Sequence, residues 1–378
     1  MNDDRSVNLN TRNINVESDS KLRVIKTNLA KVPPSGSKFA VLELSTKAVK
    51  LLIGEDVESI RDNILGAATS GARFNFANFF RNTDKVDTGK GLDKQNEMDM
   101  RYFSGRVFRS IQHKIMLMLD KHVDTVYTVA TAAYRTATNR AEILDFIRAR
   151  TGINVRILTK EEESQATLFA YTFTSAYRRQ LLASPNVIMI DQGGGSTEVS
   201  VFRTNCIHAG NYSVNLGTTA LRNFLFQISN PDTPIEQAFK SCKGKARERL
   251  SALYRNLDGN IEGEVFCVGV GTAITRAVGG GGNAKQHDKI LTRELITARI
   301  ATAEKIILER AKTVGELYEV LSKLGPNDPF DAEVTTRLGL PIFLAIMEKY
   351  NISEIHVCGT GLWYGIYFQA LLDAIDEN

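Results

Sequence analysis

Beyond residue 38 the chain alternates short apolar runs with longer stretches whose apolar positions recur at helical spacing. KFAVLEL reads as a buried strand and AVKLLIG as its hairpin partner. In NEMDMRYFSGRVFRSIQHKIMLMLDKH, Phe103, Val107, Ile111 and Ile115 fall every four residues and form the core stripe of a long helix. The strand DTVYTVA, a helix after Asn139, the strand INVRIL and a helix after Thr159 follow. Both of these helices carry a start signal, Asn139 with Glu142 and Thr159 with Glu162, each acid three residues on.

The pattern then restarts. NVIMID and TEVSVF are strands on either side of a glycine turn, and helices are expected over 217–228 and 234–256. Strand EVFCVGV feeds a helix after Thr272, helices run through 291–323 and 331–350, and strand EIHVCG precedes a last helix from 361. Strand hairpins followed by helical crossovers, occurring twice, predict an α/β protein of two similar lobes. Residues 1–37 are polar and end in VPPSGSK, so Pro33, Pro34 and Gly36 mark a flexible arm. The first lobe is expected over 38–165 and the second over 166–378. Ligands of such folds bind beyond the strand ends, which for two lobes means the cleft between them.

Composition narrows the class. The chain is 43% hydrophobic and 24% charged, ordinary for a soluble globular protein. No run approaches the ~20 apolar residues of a membrane helix, and MNDDRSVNLNTRNINVESDS has no signal-peptide core. A cytoplasmic protein without membrane contact is expected. Cys206, Cys242, Cys267 and Cys358 are far apart and the five histidines are scattered, which argues against zinc and for a hard cation on carboxylates. A net charge of +4 suits an anionic ligand but is too weak to argue for nucleic acid.

IDQGGGSTEVSVF carries the strongest chemical signal. An apolar strand delivers Asp191 to its end, and Gly193, Gly194 and Gly195 reverse the chain. Glycines permit positive φ and let successive N–H groups approach an anion. Ser196 and Thr197 add hydroxyl donors, and Asp191 and Glu198 flank the loop as a magnesium ion would require. A glycine-rich hairpin without a ligand is the competing reading. GVGTAIT places Gly269, Gly271 and Thr272 at a strand-to-helix turn, either an anion site or simply a tight connection. In TKEEESQATLF, Glu161, Glu162 and Glu163 complement a helix dipole, or one of them serves as a general base. Arg135, in TVATAAYRTATN, is a phosphate fork or a surface arginine.

Taken in order, these segments resemble the Ppx/GppA phosphatase family of the actin, sugar kinase and Hsp70 superfamily, from Phe39 to the C-terminus. KFAVLELSTKAVKLLIGE resembles the family's first phosphate motif, and VATAAYRTATNRAEILDFIRARTGINVRILTKEEES its arginine motif and catalytic-glutamate helix. IDQGGGSTEVSVF resembles the second phosphate motif almost residue for residue, while SVNLGTTALRNF, VFCVGVGTAITRAV and EIHVCGTGLWYGIYF resemble later landmarks. The resemblance implies a two-lobed, actin-like (ribonuclease H-like) α/β fold with an interdomain active site. It implies a magnesium-dependent exopolyphosphatase or guanosine pentaphosphate phosphohydrolase, acting on polyphosphate or a guanosine or adenosine polyphosphate, and is compatible with a homodimer. Glu163 matches the catalytic base and Arg135 the arginine that grips phosphate oxygens. Ser45, Thr46 and Lys47 fall in the first phosphate loop, and Gly193, Gly194, Gly195, Ser196 and Thr197 in the second. Glu43 and Asp191 match two strand-end aspartates, and Glu198 an acid tied to magnesium.

The departures cluster in the first loop. Glu43 stands for aspartate, Ser45 for glycine, Lys47 for asparagine and Ala48 for serine. Ser164 and Gln165 replace an Ala-Arg pair, and Trp363 replaces an arginine. These changes motivate an alternative, a polyphosphate or nucleotide sensor that binds without hydrolysis.

Overall fold

The computed structural model describes residues 38–376 except 71–73, 93–95, 258–260, 262, 280–282 and 325–327. The arm expected over 1–37 lies outside the described residues. The chain forms two compact units. Unit 1 runs to Thr174 and resumes at Gly361, and unit 2 is Ser175–Thr360. The division therefore falls after Thr174 and not after residue 165, because the helix that begins at Lys160 is unbroken to Thr174. The last helix belongs to unit 1.

Unit 1 is built on a five-stranded sheet in the order β3-β2-β1-β4-β5. Its strands are β1 (Phe39–Ser45), β2 (Ala48–Gly54), β3 (Phe79–Asp84), β4 (Thr125–Ala130) and β5 (Arg156–Ile157). The first three pair antiparallel, and β4 and β5 join parallel. β1 is apolar from Phe39 to Leu42 and buried there and beyond because both of its faces are covered, with Glu43 the one acid inside it. Ala40, Leu42 and Leu44 meet Ile111 and Ile115 of α2 (Phe108–Asp120) and Ile143 and Ile147 of α4 (Arg140–Thr151). Phe39 and Val41 meet Ile60 and Ile64 of α1 (Val57–Ser70), Ala166 and Ala170 of α5 (Lys160–Thr174), and Tyr364 and Tyr367 of α13 (Leu362–Asp376). A short helix α3 (Ala132–Thr136) follows β4. α13 crosses α5 in backbone contact, since a Cβ on Gly365 would lie 1.8 Å from the Ala166 carbonyl oxygen.

The expected stripe Phe103, Val107, Ile111, Ile115 is buried throughout. Its first two members lie in a π turn, Phe103–Val107, leading into α2; the wider turn suits their four-residue spacing. The two start signals behave differently. Thr159 and Glu162 form a reciprocal capping box, with Glu162 N–H donating to Thr159 Oγ1 (3.1 Å) and Thr159 N–H to a Glu162 carboxylate oxygen (2.8 Å). Asn139 precedes its helix but makes no side-chain cap bond. Its amide instead exchanges two bonds with the backbone of Met98 (3.0 and 2.9 Å).

Unit 2 repeats the scheme with six strands in the order β10-β11-β9-β6-β7-β8. They are β6 (Asn186–Gln192), β7 (Thr197–Arg203), β8 (Ile207–Val214), β9 (Val265–Gly271), β10 (Ile290–Thr292) and β11 (Glu354–Val357). β6, β7 and β8 are antiparallel, β9 is parallel to β6, and β11 is parallel to β9. After the short α6 (Arg178–Ala183), the helices are α7 (Thr218–Ile228), α8 (Ile235–Leu257), α9 (Thr272–Ala277), α10 (Arg293–Arg310), α11 (Val314–Ser322) and α12 (Pro329–Lys349). The stretch 291–323 is thus the end of β10 and two helices, the second capped by Thr313, whose side chain accepts from Glu316 N–H. Ile188, Ile190, Val199 and Val201 pack with Leu221, Phe239, Ile274 and Phe343 in this unit's core. No helix among the described residues is long and apolar enough to cross a membrane.

Candidate active site

Two groups of chemistry-bearing residues emerge, one in each unit. In unit 1, β4 and β5 are adjacent and parallel, so the segments after them leave the sheet side by side. Arg135 sits on α3 after β4, and Glu163 in the first turn of α5 after β5. Arg135 Nη1 lies 2.9 Å from Glu163 Oε1, and Nη2 donates to Oε2 at 3.2 Å. Nη1 also donates to the Leu158 carbonyl at 2.6 Å. Both side chains are about one-fifth exposed, 20% and 21%.

The capping box sorts the three acids. Glu162 is spent on the cap and on Arg156. Glu161 accepts from Gln165 one turn on (3.1 Å). Glu163 alone of the three turns to Arg135.

The first loop is a two-residue turn between Ser45 and Ala48, which are register partners. Its polar groups are engaged locally. Ser45 Oγ donates to the Ala48 carbonyl (3.0 Å), the Ser45 carbonyl accepts from Thr88 Oγ1, and the Thr46 carbonyl accepts from Gly89 N–H (3.1 Å). Lys47 pairs with Asp87 at 2.8 Å, both well exposed. Glu43 is 3% exposed and accepts from Lys50 Nζ at 2.7 Å. Its other oxygen is buried without a hydrogen-bond partner. Lys50 Nζ also lies 5.9 Å from the centroid of the Trp363 ring, a cation–π contact.

In unit 2 the triple-glycine loop joins β6 to β7. None of its three glycines has a positive φ, so conformational freedom is not their purpose. Close docking explains the loop better. The Gly195 carbonyl accepts from Gly217 N–H (3.1 Å), the Gly193 carbonyl from Thr218 (3.1 Å), and the Gly194 carbonyl from Thr219 (2.8 Å) and Ala220 (3.0 Å). These are the N–H groups that open α7, donors that a helix leaves unsatisfied. A Cβ on Gly217 would lie 2.2 Å from Gly194 C and O, so the docking needs a glycine there. The helix-opening segment, matched in sequence only as a supporting landmark, is what orients the loop. With the carbonyls taken, the amides of Gly194, Gly195 and Ser196 have no acceptor among the described residues. Gly193 N–H closes the turn on the Ser196 carbonyl (3.0 Å).

The hydroxyls expected to face an anion are used internally. Thr197 is fully buried and donates to the Leu216 carbonyl (2.9 Å). Ser196 Oγ donates to Glu198 Oε1 (2.6 Å), which also accepts from Ser213 (3.1 Å). Asp191 and Glu198 are antiparallel register partners, so their side chains emerge side by side on one face. Two adjacent carboxylates fit a magnesium ion, which binds through one or two carboxylates and keeps water and phosphate ligands. Glu43 already holds Lys50 through one carboxylate oxygen, and its other oxygen is buried. No group of three His, Cys, Asp or Glu residues among the described residues is arranged to hold a metal.

The second turn separates its candidates. Gly271 has φ 111° and passes so close to the Gln192 carbonyl that a Cβ would lie 2.2 Å from its oxygen. Gly269 lies inside β9 beneath Ile355 and Ile274, where a Cβ would come within 2.8 Å of Ile355, so its role is packing. Thr272 is exposed at the start of α9.

The model of the Ppx/GppA phosphatase family matches residues 67–374. The chain is similar to the crystal structure of an Aquifex aeolicus member of that family, at 20% identity over 90% of this chain and 99% of that one, with a TM-score of 0.64. The type II variant of the Aquifex aeolicus Ppx/GppA phosphatase has 19% identity, coverage of 88% and 98%, and a TM-score of 0.60. An exopolyphosphatase from Cytophaga hutchinsonii has 15% identity, coverage of 89% and 98%, and a TM-score of 0.62. The two mixed sheets with their helices are the actin-like α/β fold of these proteins. By the extent of that match, this chain belongs to the Ppx/GppA phosphatase family.

Proposed function

We propose that the protein is a phosphoanhydride hydrolase that releases terminal phosphate from polyphosphate or from a guanosine or adenosine polyphosphate. One observation carries this reading: α7 takes the three glycine carbonyls, so the amides of Gly194, Gly195 and Ser196 are left as consecutive donors. Such a nest stabilises phosphate oxygens. Glu163 is the general base that accepts the proton of the attacking water, and Arg135 is the fork that steadies charge on the transferred group. Their mutual pairing aims the carboxylate before substrate arrives. Asp191 and Glu198 would hold magnesium, which would supply charge neutralisation for the phosphates.

A second reading is favoured by the first loop, where Lys47 and Lys50 are already neutralised by Asp87 and Glu43. That loop brings no unpaired lysine to a ligand, as a sensor that binds without turnover would tolerate.

The deciding measurement is phosphate release from tripolyphosphate, long-chain polyphosphate and guanosine tri- and pentaphosphate, with and without magnesium, for wild type and Glu163→Ala. The hydrolase reading expects magnesium-dependent release that falls by about 10²–10⁴ in the variant while binding persists. Tight binding with no release from any compound would replace it with the sensor.

A further inference from the structure

Ile188, Ile190 and Gln192 alternate along β6 and so share one face of the strand. The two isoleucines enter the apolar core with Ile274 of α9 and Phe343 of α12. The third position of this row is an amide, although it is only 2% exposed. Gln192 Nε2 donates to the Gly339 carbonyl of α12 at 3.1 Å. Its Oε1 is buried with no hydrogen-bond partner among the described residues. A Cβ on Gly339 would lie 2.3 Å from that oxygen. The Gly339 Cα hydrogen in that direction therefore faces Oε1, a contact that recurs where helices pack closely. The whole side-chain amide thus lies along one glycine of α12.

A buried amide with part of its capacity unmet is less stable there than an apolar side chain of similar volume. Local costs of this kind concentrate where geometry serves a function. The surroundings of Gln192 identify that geometry. It stands directly before Gly193 in the chain, and its own carbonyl is the one that Gly271 approaches. The Gly339 that takes its amide is equally close to two other elements. A Cβ there would lie 2.5 Å from Ala273 Cβ of α9 and 3.1 Å from Thr218 Cγ2 of α7. Thr218 in turn donates its N–H to the Gly193 carbonyl. The end of β6, the start of α7 and the start of α9 therefore converge on one point of α12. The triple-glycine loop is tied to that point twice, through Gln192 beside it in sequence and through Thr218 docked on it.

We propose that Gln192 is a positioning residue for the phosphate-binding loop. Clamped on Gly339, it fixes the end of β6 so that the amides of Gly194, Gly195 and Ser196 keep one setting. Its side chain lies on the core face, opposite to that of Asp191, and touches no phosphate. The proposal rests on the phosphohydrolase reading for the ligand of that loop.

Calorimetric titration with tripolyphosphate in the absence of magnesium tests it without requiring turnover. Gln192→Met keeps the volume and removes both polar atoms, so the ligand-free protein should unfold at the wild-type temperature or above. Its affinity for tripolyphosphate, expressed per folded molecule, should fall at least ~10-fold, as misalignment of a charged hydrogen bond would cause. In turnover the loss should appear as a raised KM with kcat little changed. Equal affinity per folded molecule in wild type and Gln192→Met would overturn the role, and a lower unfolding temperature with that affinity unchanged would reduce Gln192 to packing. Should Gln192→Met not fold, Gln192→Leu is read in the same way. Wild type whose tripolyphosphate binding depends on Gln192 but which releases no phosphate would sink the hydrolase reading and leave the positioning role standing. Wild type that binds neither tripolyphosphate nor guanosine pentaphosphate would end both.

Discussion

Arg135 and Glu163 are joined by an ion pair, 2.9 Å from Nη1 to Oε1, and by a hydrogen bond from Nη2 to Oε2 at 3.2 Å, with Arg135 further anchored on the Leu158 carbonyl. A planar guanidinium makes this geometry and an ammonium does not. Arg135→Lys should therefore keep the charge and lose the aim. A lost charged hydrogen bond is worth about 1.5–3 kcal/mol, so kcat/KM for phosphate release should fall roughly 10- to 100-fold. Unchanged steady-state kinetics would show that the fork does not orient the carboxylate.

The glycines around the second loop make opposite forecasts. Gly217→Ala drives a methyl to within 2.2 Å of Gly194 backbone atoms, whereas a Cβ on Gly195 meets nothing within 4 Å. Gly217→Ala should unseat the loop, with a stability loss of about 1–3 kcal/mol and weaker phosphate binding. Gly195→Ala should unfold like wild type. Urea titrations of the two variants check this, and equal midpoints would mean that the loop tolerates undocking from α7.

Metal dependence should separate the three acids. Glu198→Gln and Asp191→Asn remove one of two adjacent donors, so the magnesium concentration for half-maximal activity should rise at least ~10-fold. Glu43→Gln should leave that concentration near wild type and instead lower stability by about 1–3 kcal/mol, because it removes the charged partner of the half-buried Lys50. A magnesium requirement shifted by Glu43→Gln as strongly as by Glu198→Gln would place Glu43 among the ligands.

Acid sensitivity should trace in part to His356. The ring is 1% exposed, stacks on Phe266 at 4.2 Å and 17°, and has Nε2 3.2 Å from Glu354. Burial pushes its pKa below the usual 6.5, while Glu354 and Asp288 pull the other way. The folded state therefore binds fewer protons than the unfolded chain in this range. The associated stability is complete above about pH 6.5 and is lost as pH falls through the lower folded value. His356→Phe keeps an aromatic ring and removes the titration. Its unfolding free energy should decline less than that of wild type between about pH 7.5 and about pH 5. Parallel declines would rule His356 out as the source.

What could be read beforehand was mainly local. The Thr159–Glu162 box is written within four residues and forms as spelled. Asn139 with Glu142 carries the same spelling, yet the Asn139 side chain is recruited by Met98, 41 positions away, which no local pattern reveals. The glycine run marks the second loop, but the reason for its shape is Gly217, which meets it only once α7 has docked. β3, β8 and β10 escaped because FFRNTD, IHAGNYSV and ILT are short or partly exposed, with weak alternation. The Arg135–Glu163 pair depends on β4 and β5 lying side by side, a fact of topology rather than spacing.

The return of α13 to the first unit has a consequence for biosynthesis. Unit 2 is an insertion, complete in sequence once Thr360 has left the ribosome, whereas Phe39, Val41 and Ala166 must wait for Tyr364 and Tyr367. Domains tend to fold as units during synthesis, so the later-encoded half should mature first, leaving the earlier half exposed to chaperones until its closing helix emerges.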